Sequence, residues 1–459
     1  MKTRAERKAA ARYRWDRLKV NFWMTPALMA AGAVMLAWMM YWLDDRIPDE
    51  ALQNSRFVLA GGATELRTGL LDIAGTVLAT AGMVFTLLTL PLSMVAAQYG
   101  SRLLRLFLGD RTAQFVLGMF VATFVYCIAA AFSIPAVETE RASPHLTASL
   151  GVYLMLGTFA TLILLVQHIS TMLQAPNIAA AAGAELLSVV EAIEHVSEGD
   201  EEGKGEQGDL AAAHDGTANL DESTAYLLLV RETGYIQYID PDTLLTPARE
   251  KDLIIRLVQK TGHFVRDGAV VALIWPQERV DAAAVKLMRR AFQIGNARTP
   301  AQDIIYAVNQ LAEMAVRAMS PAINDPFTAM TCLDHLGNGL VRFVRQGERS
   351  GQFYDQDGKL RLVLEPVMVD ELLDAAFSIL RHASCDNASV LLHMLTTIEQ
   401  ISQEAAVPAA RAALMRHVQL IAAESTAGAL IVEDRQRIQQ LCEAILQSAS
   451  PNADRQVAG

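Results

Sequence analysis

Cysteine is scarce in this chain. Its four residues, Cys127, Cys332, Cys385 and Cys442, stand in no CxxC or Cys/His spacing. That excludes a disulfide framework and a zinc site from the expected architecture, and no metal or cofactor set is expected elsewhere. No nucleophile–base pair, cofactor fingerprint or fixed-period repeat stands out, so the chain is not expected to be an enzyme. The net charge is −11, yet the N-terminal arm is basic (Lys2, Arg4, Arg7, Lys8, Arg12, Arg14, Arg17 and Lys19 against Glu6 and Asp16). The acidic excess therefore lies further along, and the C-terminal part lacks the basic footprint of a nucleic-acid binder. Charge is also missing from the centres of four apolar stretches, Phe22–Leu43, about Ile73–Ala97, Phe115–Val137 and Leu146–Leu173.

Those four stretches dominate the first third of the chain. At about 1.5 Å rise per residue, each is long enough to cross a hydrocarbon core of about 30 Å. A backbone in lipid must satisfy its own polar groups, so a helical multi-pass protein follows. The flanking segments alternate basic, acidic, basic, acidic. Asp44 to Gly69 holds three basic and five acidic residues; Arg102, Arg105 and Arg111 face Asp110 alone; Glu138 and Glu140 face Arg141. This positive-inside pattern predicts that both termini are cytoplasmic, with Trp15 and Trp23 at the inner belt and Trp38, Tyr41 and Trp42 at the outer one. A cleaved signal peptide is disfavoured by the length of the first stretch and by the Trp-Leu-Asp-Asp that follows it.

The expected organisation is a basic cytoplasmic arm over 1–21, a four-helix transmembrane domain over 22–173, and a helix extension with a flexible acidic linker over 174–223. A small β-rich subdomain over 224–280, a larger α-helical subdomain over 281–447 and a disordered tail over 448–459 complete it. In the β-rich part, Tyr226–Val230 and Tyr235–Ile239 read as a hairpin. Asp240-Pro241 opens a short helix, and Leu253–Val258 and Ala269–Trp275 read as further strands. The Gly262–Gly268 turn resembles that of small barrel-sandwich domains, but without their modified lysine. Helical spacing then covers Val285–Ile294, Gln302–Met319, Phe327–Gln346, Val369–His382, Ala388–Gln403, Ala409–Ser425 and Arg435–Leu446, interrupted by a hairpin over Phe353–Leu364 with Asp-Gly at its turn.

Three constellations are candidates for function. Along the second span, Gly75, Ala79, Gly82, Thr86, Thr89 and Ser93 fall within an arc of about 80° at helical spacing. Small and hydroxylated residues serve close helix packing or line a water-filled path, and Pro91 predicts a kink. Span three has a similar stripe at Gly118, Ala122, Ala129, Ser133 and Ala136, and His168 lies near the inner end of span four. The second constellation is an amphipathic elbow, with Gln98, Arg102, Arg105 and Asp110. It reads as contact with anionic lipid headgroups or as a cytoplasmic pore mouth. The third is Ser320, Pro321, Asn324, Asp325 and Pro326, which reads as a helix stop followed by an N-cap and a proline at N1. A hydrolytic site there requires a base, and His335 is the candidate to approach it.

The elbow with Gln114–Tyr126, and the Ser-Pro-Ala-Ile-Asn-Asp-Pro run at 320–326, resemble the bacterial predicted-membrane-protein family labelled domain of unknown function 2254. The likeness runs over nearly the whole chain. It departs at Ser101, where the family pattern has proline before Arg102. The resemblance implies an inner-membrane protein with a cytoplasmic tail and carries no activity. On the residues, two readings lead: a homo-oligomeric conduit for ions or small solutes gated by the tail, and a membrane-anchored sensor or scaffold whose tail binds a ligand or protein. Chemistry on a lipid substrate ranks below both.

Overall fold

The computed structural model describes residues 23–47, 59, 61–99, 110–134, 144–172, 174–198, 220–347, 351–355 and 357–449. The basic arm, most of the elbow, most of the acidic linker and the C-terminal tail lie outside these residues. The chain divides into two units, 1–177 and 178–459.

The first unit is built from α1 (Met24–Asp44), α2 (Ala63–Tyr99), α3 (Arg111–Ser133) and α4 (His145–Met172). Their side chains are apolar almost all round, as a lipid-facing bundle requires. α3 is the centre: over half of it is buried, and it packs on α1, α2 and α4. Val116, Phe120, Tyr126, Cys127, Ala130 and Ala131 are its buried face. Two glycines make close approach possible. A Cβ at Gly118 would meet Met29 Sδ at 2.4 Å, and one at Gly151 would meet Leu70 Cδ2 at 2.5 Å. Polar side chains within the bundle pair with each other, Thr123 Oγ1 with Thr158 Oγ1 at 2.8 Å and Thr25 with Gln114 at 3.0 Å, as burial demands. α2 has 37 residues, about 56 Å at helical rise, far more than a bilayer core needs. It starts ten residues before the expected span and continues through Pro91.

Five helices, not four, are long and apolar enough to cross a membrane among the described residues. The fifth, α5 (Ala175–Glu198), was expected only as an extension of the fourth. Its alanine-rich first three turns raise its apolarity to span level.

In the second unit, β1 (Tyr226–Leu229), β2 (Gly234–Ile239), α6 (Pro241–Glu250), β3 (Ile254–Leu257), β4 (Phe264–Val265), β5 (Val270–Trp275), α7 (Ala282–Arg289) and β6 (Phe292–Gly295) come first. Then follow α8 (Ile304–Ala318), α9 (Pro326–Arg345), β7 (Gln352–Tyr354), β8 (Leu360–Val363), α10 (Val369–Ala383), α11 (Ala388–Glu404), α12 (Pro408–Ala427) and α13 (Val432–Ser448). The strands form two sheets, β1-β5-β3-β8-β7 and β4-β2-β6. They share a core that includes Leu228, Ile236, Leu244, Leu253, Ile255 and Leu362.

Three expectations are corrected here. β1 and β2 are not a hairpin: β1 pairs with β5, and β2 with β4 and β6. Each strand finds its apolar partners in a different sheet, so the four residues between them carry a crossing and not a turn. The helix expected through Ile294 ends at Arg289, because Phe292 and Ile294 are recruited as β6 against β2. The boundary at 280 does not separate strands from helices either. The β7–β8 hairpin returns to the first sheet through a parallel pairing of Ile255 with Leu362. Between β3 and β5, Gly262 adopts φ +87°, and a Cβ there would lie 2.1 Å from Asp303 Oδ2. Only glycine fits, for both reasons.

Candidate functional site

The stripe on α2 stands outside the bundle. Gly75, Ala79, Gly82, Thr86, Thr89 and Ser93 are all exposed, while Leu70, Ala74, Val77 and Val84 form the buried face. Among the described residues, nothing lies within 4 Å of a Cβ built at Gly75 or Gly82. Among the described residues these small side chains make no close helix contact, whereas Gly118 and Gly151 do. The Thr86 hydroxyl donates to Gly82 O and that of Thr89 to Thr86 O, both at 3.1 Å, so the hydroxyls are satisfied along the helix itself. Such back-bonding leaves each oxygen a free lone pair toward the outside.

Of the elbow, Arg102 and Arg105 lie outside the described residues, and Gln98 is placed only as part of the α2 backbone. Asp110 is described in full. It caps α3, its carboxylate accepting Thr112 N at 3.4 Å and Ala113 N at 2.9 Å. Its Oδ2 also lies 3.1 Å from His168 Nε2 near the end of α4. The pair ties two helix ends, and a carboxylate at a helix N-terminus is favoured by the exposed N–H groups and the dipole.

At the other end of the bundle is a network that sequence reasoning missed. Asp44, the last residue of α1, is buried. Its carboxylate accepts Leu146 N and Thr147 N at 2.9 Å each and the Thr147 hydroxyl at 2.6 Å. It is thus the N-terminal cap of α4, supplied from another helix. The Tyr126 hydroxyl donates to Thr147 O at 2.9 Å, His145 Nδ1 donates to Leu59 O at 2.8 Å, and Leu59 N donates to Ser149 Oγ at 2.8 Å. Read as a sequence, Asp44 is one of five acidic residues in a loop. No local pattern pointed to a cap from elsewhere, since Ser143-Pro144 already reads as an N-cap and N1 pair.

The 320–326 run joins α8 to α9. α8 ends at Ala318; beyond it Asn324 adopts φ +47° and its N–H donates to Ser320 O at 2.8 Å, closing the turn that leads into α9. Asp325 caps α9 by accepting Thr328 N at 3.1 Å, and Pro326 takes the first helical position. Pro321, Ala322, Ile323 and Asn324 are exposed, as is Phe327. His335 does not approach this run: it lies against Gly183 of α5, where a Cβ would be 2.7 Å from its Nδ1. No group of three or more His, Cys, Asp or Glu able to hold a metal occurs among the described residues.

Residues 19–400 match the predicted-membrane-protein family DUF2254. The chain belongs to that family. It is 25% identical over 371 residues to uncharacterised proteins of Mycobacterium tuberculosis and of Mycobacterium bovis, covering 80% of this chain and 69% of each relative. No solved structure matches it. Within the family match fall the bundle, both sheets and the helices through α10, whereas α12 and α13 lie beyond it.

Proposed function

We propose that this protein of the DUF2254 family is a homo-oligomeric conduit for ions or small solutes in the bacterial inner membrane. In this reading α1 to α4 cross the bilayer, and α2 turns its small and hydroxylated stripe toward the axis of the assembly. One observation carries it. The small and hydroxylated stripe of α2 is left outside the bundle, whose close helix contacts are made at Gly118 and Gly151. A wall of Gly, Ala, Thr and Ser offers room and lone pairs to water or a partly hydrated ion. The positive-inside pattern supports cytoplasmic termini, with the second unit as gate or vestibule. α5 then belongs to that unit and not to the membrane. In support, Glu191 of α5 pairs with Arg342 of α9 at 2.8 Å, and a Cβ at Gly339 would meet Leu186. The basic arm and elbow are proposed to rest on anionic lipid.

The test is Thr86→Leu against Thr86→Cys, read by light scattering in detergent and by flux in liposomes. A conduit keeps its assembly with leucine and loses flux, and the introduced thiol reacts quickly with a charged reagent in the intact oligomer. A monodisperse monomer in detergent and in nanodiscs refutes the proposal, as does a fully protected thiol. A membrane-anchored sensor is the second reading, and a ligand-sized crevice in the second unit favours it.

A further inference from the structure

In the second unit, a crevice of about 600 Å³ opens where the ends of β3 and β5 meet the β7–β8 hairpin. That is the size range of small-molecule sites. Its apolar wall includes Ile254, Trp275, Pro276 and Leu360, and its charged wall Asp252, Arg279, Lys359 and Arg361. The cations are not equivalent. Arg361 is buried, and it donates Nε to Asp355 at 2.6 Å and Nη1 to Asp252 Oδ1 at 2.7 Å. It is the anchor that holds Asp252, whose backbone takes φ +53°, in place against the hairpin. Arg279 gives only Nη1, to the carboxylate and carbonyl of Asp252 at 2.7 and 3.2 Å. The rest of its fork has no partner among the described residues. Lys359 Nζ stands 3.8 Å from Asp252 Oδ1, beyond hydrogen-bond reach. Two half-exposed cations therefore present uncommitted N–H donors to one apolar crevice. Asp252 stays charged beside them, since Arg361 and then Arg279 hold its carboxyl at about 2.

We propose that this crevice binds a small phosphate monoester with an apolar or aromatic body. The non-bridging phosphate oxygens take the open arm of the Arg279 fork and the Lys359 ammonium, a directional donor and a point charge that suit a phosphate dianion. The body lies over Ile254, Pro276 and Leu360. Glu278, exposed on the rim and also lining the crevice, opposes the anion and excludes ligands of high negative charge. The site is independent of the conduit reading.

Calorimetry of the full chain in dodecyl maltoside tests it with phenyl phosphate, benzoate, inorganic phosphate and benzyl alcohol as probes. Phenyl phosphate is expected to bind at least tenfold more tightly than the other three, each of which lacks part of the recognised chemistry. The Arg279→Gln/Lys359→Gln pair is expected to weaken it at least tenfold. Both residues are exposed, so folding is expected to survive, checked by an unchanged melting temperature. Glu278→Gln is expected to tighten it a few-fold. Absence of binding at millimolar probe, equal binding by the double variant, or weaker binding by Glu278→Gln overturns the site. Benzoate or inorganic phosphate matching phenyl phosphate overturns the ligand class.

Discussion

Replacing Asp44 by alanine removes the cap of a helix that begins a hundred residues later in the chain. The wild-type carboxylate satisfies two N–H groups of α4 and the Thr147 hydroxyl, with donor–acceptor distances of 2.6 to 2.9 Å. Because Asp44 is only 3% exposed, water does not readily replace it. A hydrogen bond to a charged group is worth about 1.5–3 kcal/mol net, and a lost N-cap costs about 0.5–2 kcal/mol. These overlap and do not add, so a total of about 2–4 kcal/mol is expected. For a unit of this size, that is a fall in melting temperature on the order of 5–15 °C. Asp44→Asn keeps one acceptor oxygen and is expected to lose roughly half as much by the same hydrogen-bond scale. Asp45→Ala, next door and exposed, is the control and is expected to stay within about 0.5 kcal/mol. Thermal unfolding of the detergent-solubilised chain, followed through the near-ultraviolet signal of the bundle tryptophans, measures all three. If Asp44→Ala melts with the wild type, or no lower than Asp45→Ala, the capping account is refuted.

Gly151→Ala places a methyl 2.5 Å from Leu70 Cδ2 and is expected to cost about 1–3 kcal/mol of bundle stability, whereas Gly75→Ala meets nothing among the described residues and is expected to leave bundle melting unchanged; equal effects in a melting assay would contradict the packing. Asn324→Gly is expected to be nearly neutral and Asn324→Val to destabilise by about 1 kcal/mol or more, since only the latter resists φ +47°, as chemical denaturation of the second unit would report. Asp325→Ala is expected to cost about 1 kcal/mol in the same assay, with assembly unchanged. His417 is fully buried on α12, with Nε2 3.1 Å from Asp374 Oδ1, and burial lowers its pKa from the usual 6.5. The unfolded chain therefore takes up the proton first on acidification. Its neutral form costs nothing above about pH 6.5, and stability falls as the pH drops from there toward the lowered folded value. His417→Gln is expected to flatten denaturation midpoints between pH 7 and 5; an unchanged slope would remove His417 as the cause.

Much of the helical layout was legible because it is written in local patterns. Asp281, Asp303, Asp325 and Asn387 each cap the helix that follows them within three residues, so those starts can be read one turn at a time. Gly262 and the Asp-Gly at 357–358 likewise announce turns by their own conformational preferences. Strand pairing was not legible. Tyr226–Leu229 looks like half of a hairpin with the next strand, yet its partner lies some forty residues on, because either strand offers suitable apolar faces. The stripe on α2 is plain in the spacing of its residues, but whether it faces inward depends on which side of α2 meets α3.

The sequence by itself determined that the chain is a membrane protein. Twenty-residue apolar stretches exclude charge locally, and the cost of burying a polar group in lipid acts on each stretch alone. It likewise determined the helix caps, where a side chain meets backbone three residues away. The tertiary structure alone decided that Asp44 caps α4, that β8 joins β3, that Gly118 and Gly151 rather than Gly75 and Gly82 carry the close packing, and that Arg279 and Lys359 face one crevice. Each of these joins groups distant in the chain. The energy that selects them is that of the packed whole, which no local window contains.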